Sequence, residues 1–407
     1  DAYIPGMVDM QNAVRPFANF AQPNNMATFL LMALMGCLYL YETRKIKTSV
    51  LSLCALMIIF AVALSQSRTS WLACLCILVY GAYQQYKGYI RLKYYYTLAW
   101  LALFVGFILL LPLATQWIGD ITTIAVAQTK TVAERATGDM SRLAIWQQML
   151  YAICDRPWFG YGWHQTSVAY TLVSDHAQGP VWIRSAHNFV IDFILWNGLL
   201  IGLPFLAYFG YWGYQLNKQV NSVESVIGIL MLGVVLVHGM LEFPLFYAYF
   251  LLPMGFILGL VQSQNTKIRS ISLSPRYLQV TFILGVLLLA LIYRDYEVMV
   301  PKLNQSVRYE HRPEKITNQD KIYLLEEFNR RIAWIRMNPY STVSDQELAQ
   351  IREIVLNYPT RYDLIKYAKV LAFNGQEKEA RHQLWLLKQL HQVDLDYASL
   401  AQPIPSQ

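Results

Sequence analysis

An all-α, polytopic membrane protein with a helical extracytoplasmic domain at its C-terminal end is the fold this sequence predicts, on three observations. Of 407 residues, 55% are hydrophobic and only 14% charged, where an average soluble domain carries about 25% charged residues. Eight apolar runs approach the roughly 17 to 25 residues with which a helix crosses a bilayer: 26–41, 49–65, 70–86, 94–113, 198–214, 224–242, 245–262 and 277–293. Beyond Arg294 the long apolar runs stop and apolar residues recur at helical spacing instead. Two domains follow: 1–294, a multi-span membrane domain with a long external loop at about 114–197, and 295–407, a helical domain outside the membrane. The sequence opens at Asp1 with neither an initiator methionine nor a signal peptide, so a partial or processed chain is expected, with earlier spans missing.

Basic residues orient the spans, because short loops rich in Lys and Arg stay cytoplasmic. Arg44, Lys45 and Lys47 mark one such loop, and Lys87, Arg91 and Lys93 a second. Lys218 sits in a third, and Lys267, Arg269 and Arg276 mark a fourth. The eight runs alternate correctly between all four. Residues 1–25, the "SQSRTS" turn, the 114–197 loop, the "EFPL" corner and everything after 294 therefore fall on the outer side. Long loops cross whatever their charge, which is one reading of Arg135 and Arg156, a role at the outer face being the other. Arg68 is different. It stands in a tight turn between two apolar runs, where an arginine needs water, a carboxylate or an anionic ligand.

In the tail, Leu364, Tyr367, Ala368 and Leu371, then Ala380, Leu384 and Leu387, keep helical spacing on either side of "NG". Gly375 suits a left-handed helix C-cap. The pattern is that of one tetratricopeptide-like hairpin, and a single unit cannot bury its own face. The domain is expected either to contact a partner or to cap the membrane part. The five cysteines give no framework: Cys37, Cys54, Cys74 and Cys76 lie in apolar runs and Cys154 stands alone.

Four patches carry the polar chemistry. In "RPFANFAQPNNMATFLL", Pro16 and Pro23 break the helix. Gln22, Asn24 and Asn25 place amides at the outer end of a span, as a ligand site or as a turn and cap. Arg68 in "LSQSRTSW" is the second patch. In "SRLAIWQQMLYAICDRPWFGYGWHQ", Ser141 or Asp139 can cap a helix running to about Cys154. Arg142 then lies in its first turn, against the helix dipole, and a diphosphate is a candidate partner because the guanidinium fork matches phosphate oxygens in pairs. "RPWFGYGWHQ" is a rigid aromatic loop suited to sugars or to the lipid interface.

The fourth patch is "IRSAHNFVIDFILWNGLLIG". His187 precedes an apolar helix, so free backbone N–H groups lie near it. These, with Arg184, favour a neutral imidazole able to accept a proton. His238 and Glu242, one turn apart in "HGMLEFPL", face one way and can orient a ligand or satisfy each other. His164, Asp175, His176, His187 and Asp192 lack the tight spacing of a metal motif, and neither a metal nor a cofactor is expected. Nucleotide-binding glycine loops are missing too, which argues against a sugar-nucleotide donor.

The quoted patches resemble a family. "RPFANFAQPNNMATFLL" is similar to the N-terminal signature of bacterial protein O-oligosaccharyltransferases of the pilin-glycosylating type. "SRTSW", "SRLAIWQQML…DRPWFGYG" and "HNFVIDFILWNGLLIG" resemble the wider O-antigen ligase and polymerase superfamily. The likeness covers most of residues 10–262, and the family's first spans have no counterpart at the start of this chain. It implies a metal-independent glycosyltransferase of the bacterial inner membrane, its site and its C-terminal domain on the periplasmic side. The implied donor is an oligosaccharide on undecaprenyl diphosphate, and the implied acceptor a Ser or Thr of a pilin or other periplasmic protein. No nucleic acid is expected as partner. By motif, His187 is the base, with Arg68 and Arg142 on the diphosphate. Arg184 is added from its place beside His187, with Gln22, Asn24, His238 and Glu242 in support. The rival readings are a ligase or polymerase acting on lipid-linked sugars alone and, from another class, a lipid-linked glycan transporter.

Overall fold

Each of the eight apolar runs coincides with a helix. The computed structural model describes residues 15–121, 141–176, 182–265, 272–310, 312, 315 and 321–401, and among these it contains helices and no strand. Arg135, Asp139, Lys267 and Arg269 lie outside the described residues. The helices are α1 Pro23–Glu42, α2 Thr48–Ser65, α3 Arg68–Tyr86, α4 Tyr94–Ile121, α5 Ser141–Asp155, α6 Thr166–Leu172, α7 Phe189–Lys218, α8 Val223–Gly239, α9 Ala248–Ser263, α10 Pro275–Arg308, α11 Glu327–Arg336, α12 Asp345–Asn357, α13 Arg361–Phe373 and α14 Glu377–His391. Five are long and apolar enough to cross a membrane: α1, α2, residues Tyr94–Ala114 of α4, α7 and α10. The chain is a multi-pass membrane protein. In α3, Arg68, Thr69 and Ser70 at one end and Gln84 and Gln85 at the other dilute the apolar run. α8 and α9 are apolar but shorter.

The chain forms two compact units, Asp1–His164 with Ser185–Ile268, and Gln165–Arg184 with Arg269–Gln407. This division follows packing, whereas the boundary expected at 294/295 follows the membrane. In the first unit α1 packs on α2, α3 and α8, and α8 also packs on α3 and α9. Ala27, Ala55, Ala63 and Ala73 are buried at the centre with Leu31, Ile59, Val62 and Val234. Small residues belong there, since helices in lipid are held by close packing rather than by transfer out of water.

Two details of this unit position the site. The seventh helix begins at Phe189, nine residues ahead of the expected span, and bends at Gly198, whose φ is 68°. Through the bend the loop after α5 is bonded to the helix backbone: Tyr161 N–H to Leu195 C=O at 2.9 Å, Gly162 N–H to Trp196 C=O at 3.0 Å, and Leu200 N–H to Trp158 C=O at 3.2 Å. A Cβ on Gly160 would lie 2.4 Å from the Leu195 carbonyl oxygen, and one on Gly198 2.2 Å from that of Trp158. The glycines of "WFGYG" therefore allow two backbones to touch, and α5 is clamped to α7. Trp158, Phe159 and Trp163 stay exposed. Secondly, α8 stops at Gly239, so Glu242 lies in the corner after it rather than in a span.

In the second unit α10 has 34 residues, about 50 Å at 1.5 Å each. The apolar window of its sequence is wholly unburied within the protein, as a lipid-facing helix should be. Beyond that window Asp295 accepts from the N–H groups of Tyr323 and Leu324 at 2.8 and 2.5 Å, tying the following segment to the helix. The tail hairpin is α13 and α14, joined at Gly375 with φ 76°. All seven residues expected in its core are buried. Asp363 joins it to α11 by a pair with Arg331 and a 2.8 Å bond from Trp334 Nε1.

Candidate active site

Local bonds fix the backbone at His187. Asn188 caps α7, its Oδ1 accepting from Val190 and Ile191 N–H at 3.0 and 3.2 Å. The buried Asp192 carboxylate accepts from the Ser185 hydroxyl at 2.6 Å and from Ala186 N–H at 2.9 Å. Trp146 of α5 donates to the Ala186 carbonyl at 2.9 Å. Held between these ties, His187 takes φ 53°. A side-chain-bearing residue in that region costs on the order of 1–3 kcal/mol and persists where its surroundings over-determine it.

The ring's Nδ1 lies 2.8 Å from Glu242 Oε2. Glu242 is 6% exposed, and its Oε1 accepts from Asn24 Nδ2 at 3.0 Å and pairs with Arg142 Nη2. Asn24 Oδ1 accepts in turn from Arg15 Nη2 at 3.3 Å. Arg15 Nε donates to the Ser65 carbonyl, at the end of α2, at 2.8 Å. One carboxylate thus gathers side chains from the starts of α1, α5 and α7. Burial alone pushes the Glu242 carboxyl up, but the His187 hydrogen bond and the charges of His187 and Arg142 outweigh it. The net position is below the ordinary 4.5. Glu242 is an anion at neutral pH, and an anion accepts hydrogen bonds only. Nδ1 of His187 therefore carries the proton of this contact, and in the neutral ring it is Nε2 that presents a lone pair. Lone-pair Nε2, carboxylate-held Nδ1 and an adjacent guanidinium are the parts of a general base working beside an anion.

Of the residues singled out in the sequence, the structure brings His187, Arg142, Asn24 and Glu242 together. Arg68 is the first residue of α3, immediately after the turn on which Arg15 is anchored. Gln22 bonds Asn25 at 3.2 Å, and Asn25 bonds the Phe20 carbonyl and the Tyr249 hydroxyl, so this pair braces the start of α1. His238 and Glu242 do not satisfy each other's side chains. His238 is fully buried with Nδ1 2.9 Å from the Thr28 hydroxyl. The charge facing His187 is a carboxylate, where the sequence pointed to Arg184. Arg184 belongs to the second unit, its guanidinium 5.1 Å from the Trp182 ring and 4.7 Å from that of Tyr358. Asp175 pairs with His382. Among the described residues no three metal-ligating side chains converge. Arg15 was not among the candidates. Its signal was present, because it is an arginine at the outer end of a span and opens the "RPFANFAQPNN" stretch.

Three family descriptions match along the chain. Protein glycosylation ligase covers residues 16–41, O-antigen ligase 52–206, and the C-terminal part of virulence factor membrane-bound polymerase 226–399. The first holds Asn24, the second Arg68, Arg142 and His187, and the third Glu242. A general O-oligosaccharyltransferase of Acinetobacter baylyi is 40% identical over 404 residues, 99% of this chain and 71% of the relative. The chain belongs to the O-oligosaccharyltransferase family. A ComP-specific O-oligosaccharyltransferase of the same organism is 27% identical over 380 residues, 91% of this chain and 67% of that relative. No solved structure matches. As an O-oligosaccharyltransferase the protein is a glycosyltransferase-type enzyme acting in protein O-glycosylation, the branch of the superfamily toward which the QPNN stretch pointed.

Proposed function

We propose that this O-oligosaccharyltransferase moves a glycan en bloc from an undecaprenyl diphosphate carrier to a Ser or Thr hydroxyl of an extracytoplasmic protein such as a pilin. The reaction takes place at the periplasmic face of the inner membrane. The observation that carries it is the 2.8 Å contact between His187 Nδ1 and Glu242, which leaves Nε2 to take a proton. The acceptor oxygen forms a bond to the anomeric carbon as the bond from that carbon to the diphosphate oxygen breaks. The hydroxyl proton passes to His187 Nε2, and the Glu242 charge balances the imidazolium. The diphosphate leaves as an anion, its growing charge offset by Arg142 and Arg68. One displacement inverts the anomeric centre.

The matches to O-antigen ligase and to membrane-bound polymerase support a second reading, in which the acceptor is a core lipid or another lipid-linked sugar. Purified enzyme given lipid-linked glycan and either pilin or core lipid separates the two. Glycopeptides found by mass spectrometry, and missing with His187→Ala, are the expected outcome. Glycan on the core lipid alone would establish the rival.

A further inference from the structure

We propose that a groove of about 710 Å³ in the tail, walled by α6, α12 and α14 and floored by α13, holds an extended and on balance uncharged segment of the acceptor protein. The groove stands on its own geometry. Naming its occupant as the acceptor rests on the transfer reading above.

A single helical hairpin cannot bury its own face, and here neighbouring helices cover only part of it. α13 packs on α14 and on α12, and α6 packs on α12. Every lining residue belongs to the second unit. Asp345, Leu348, Arg352 and Val355 recur at helical spacing, so one face of α12 makes a wall, as Glu379, Gln383 and Leu386 do on α14. Leu364 and Tyr367 of α13 lie between them. Leu348, Val355, Leu364, Tyr367 and Leu386 are all buried, which gives the groove a preformed apolar floor of ligand-site size. Asp175, just past α6, has carboxylate oxygens 3.1 and 3.3 Å from His382 Nε2 of α14, tying one wall to the other. That wall comes from the external loop, which runs on in sequence to His187.

The chemistry of the occupant follows from the rim. Asp345, Glu379, Arg352 and Lys378 line the groove and are exposed, and none forms an ion pair or a side-chain hydrogen bond among the described residues. Burial pushes the Tyr367 phenol up, with Arg352 lowering and Glu379 raising it, so a charge of each sign acts on the floor. Two free charges of each sign select against a polyanion, such as a nucleic acid or an anionic lipid surface, and equally against a polycation. The side-chain amides of Gln376 and Gln383 are likewise unbonded among the described residues, and each offers both donors and an acceptor. A lipid tail would strip water from these groups and return nothing. A sugar would find neither Trp nor Phe in the lining to stack on. An extended peptide meets both demands: its N–H and C=O groups match the amides, and its alternate side chains point one way, onto the apolar floor.

The test is Ala349→Trp in the full chain, because Ala349 is an exposed lining residue of the α12 wall and a larger side chain there fills the groove without entering the core. Gln350→Trp, the next residue along and not part of the lining, is the control. Binding of purified pilin is measured first, in a His187→Ala background where no turnover is needed. Ala349→Trp should weaken it roughly tenfold or more, and Gln350→Trp should leave it unchanged. In the active enzyme, acceptor KM should rise by the same factor in Ala349→Trp, with kcat and donor KM within about twofold of the parent's. If Ala349→Trp does not fold, Arg352→Glu and Glu379→Lys, both at exposed rim positions, should each weaken pilin binding several-fold. Pilin that binds neither protein, or both equally, would overturn the proposal. A rise in donor KM with acceptor KM unchanged would place glycan in the groove instead. Self-association of the parent that Ala349→Trp abolishes, without pilin binding, would assign a second copy of the chain. Either result removes the acceptor from the groove. Should pilin binding depend on Ala349 while the parent transfers no glycan to protein, the groove stands and the transfer reading falls. Transfer to pilin that ignores Ala349→Trp has the opposite meaning.

Discussion

His187 Nδ1 and Glu242 Oε2 lie 2.8 Å apart across 55 residues of sequence. The same carboxylate holds Arg142 and Asn24, so one side chain fixes both which ring nitrogen of His187 faces it and the position of a cation next to it. His187→Ala should abolish transfer while lipid-linked donor still binds. Glu242→Gln tests the pairing more finely, since an amide keeps the shape but can donate to the ring and reverse the tautomer. We expect kcat to fall by about two to four orders of magnitude with a smaller change in donor KM. Single-turnover kinetics on a folded Glu242→Gln enzyme measure this, and near-parental rates would remove Glu242 from the site.

The carboxylate also gives a pH dependence of known sign. Its folded-state value is lowered from the ordinary 4.5, with burial opposing and the His187 bond, then the His187 and Arg142 charges, prevailing. A depressed acid contributes stability that is present above its unfolded value and lost as pH falls through the folded one. Thermal unfolding between about pH 6 and about pH 3 should therefore show a decline below 4.5 that is shallower in Glu242→Gln. Identical slopes for the two proteins would separate Glu242 from that decline.

Helix periodicity and loop charge are local signals, and what depends on them was legible. The eight runs, and the core residues of the tail hairpin from Leu364 to Leu387, can be read without knowing what each helix touches. Partner choice is not local. Glu242 sits one turn beyond His238, yet its side chain meets residues 55, 100 and 218 positions away. Only the packing of α1, α5, α7 and α8 decides this. Arg184 shows the same limit: beside His187 in sequence, it stacks on Trp182 and Tyr358.

The contact of Gly160 with Gly198 is also a product of packing, and it tolerates no side chain. Both residues have φ 68°, and an added Cβ would meet carbonyl oxygens of the facing backbone. Gly160→Ala and Gly198→Ala should each destabilise by on the order of 3 kcal/mol and loosen α5 from α7. Gly210→Ala, where a Cβ meets nothing within 4 Å, is the control. Detergent-solubilised Tm values for the three variants decide it, and parity with the control would discard the clamp.

Orientation can be tested at the tail. Arg91 N–H bonds Glu42 at 2.7 Å, which joins two of the basic loops at one end of α1 and α3. Arg15 and Asn24 lie with the start of α1, at its opposite end. If the basic end is cytoplasmic, the candidate site is periplasmic. The count of spans then carries the tail outward. In a background without the five cysteines, Gln350→Cys on the exposed side of α12 should be labelled by a membrane-impermeant maleimide in cells with a permeabilised outer membrane. Labelling only after the inner membrane is opened would reverse the assignment.

Arg68 and Arg142 should act on one anion although they start different helices. Both stand in the first turn of a helix whose dipole disfavours a cation there. Arg142 spends Nη2 on Glu242, and the rest of its fork suits a phosphate. Charge-assisted bonds to a diphosphate are worth about 1.5–3 kcal/mol each, so losing part of a fork should reduce the rate roughly tenfold or more. Arg68→Lys and Arg142→Lys are the informative variants, because lysine keeps the charge but offers a point instead of a planar pair of donors. For Arg142 a lysine can still reach Glu242, which separates loss of the fork from loss of the carboxylate's partner. Arg91 is the control: its guanidinium bonds the Tyr41 carbonyl at 2.5 Å and lies 4.3 Å from the Tyr41 ring, at the other end of α1. Arg91→Lys should leave donor KM and kcat unchanged in correctly assembled enzyme. Full activity in both site variants, or an equal loss with Arg91→Lys, would show that the two arginines share no anion.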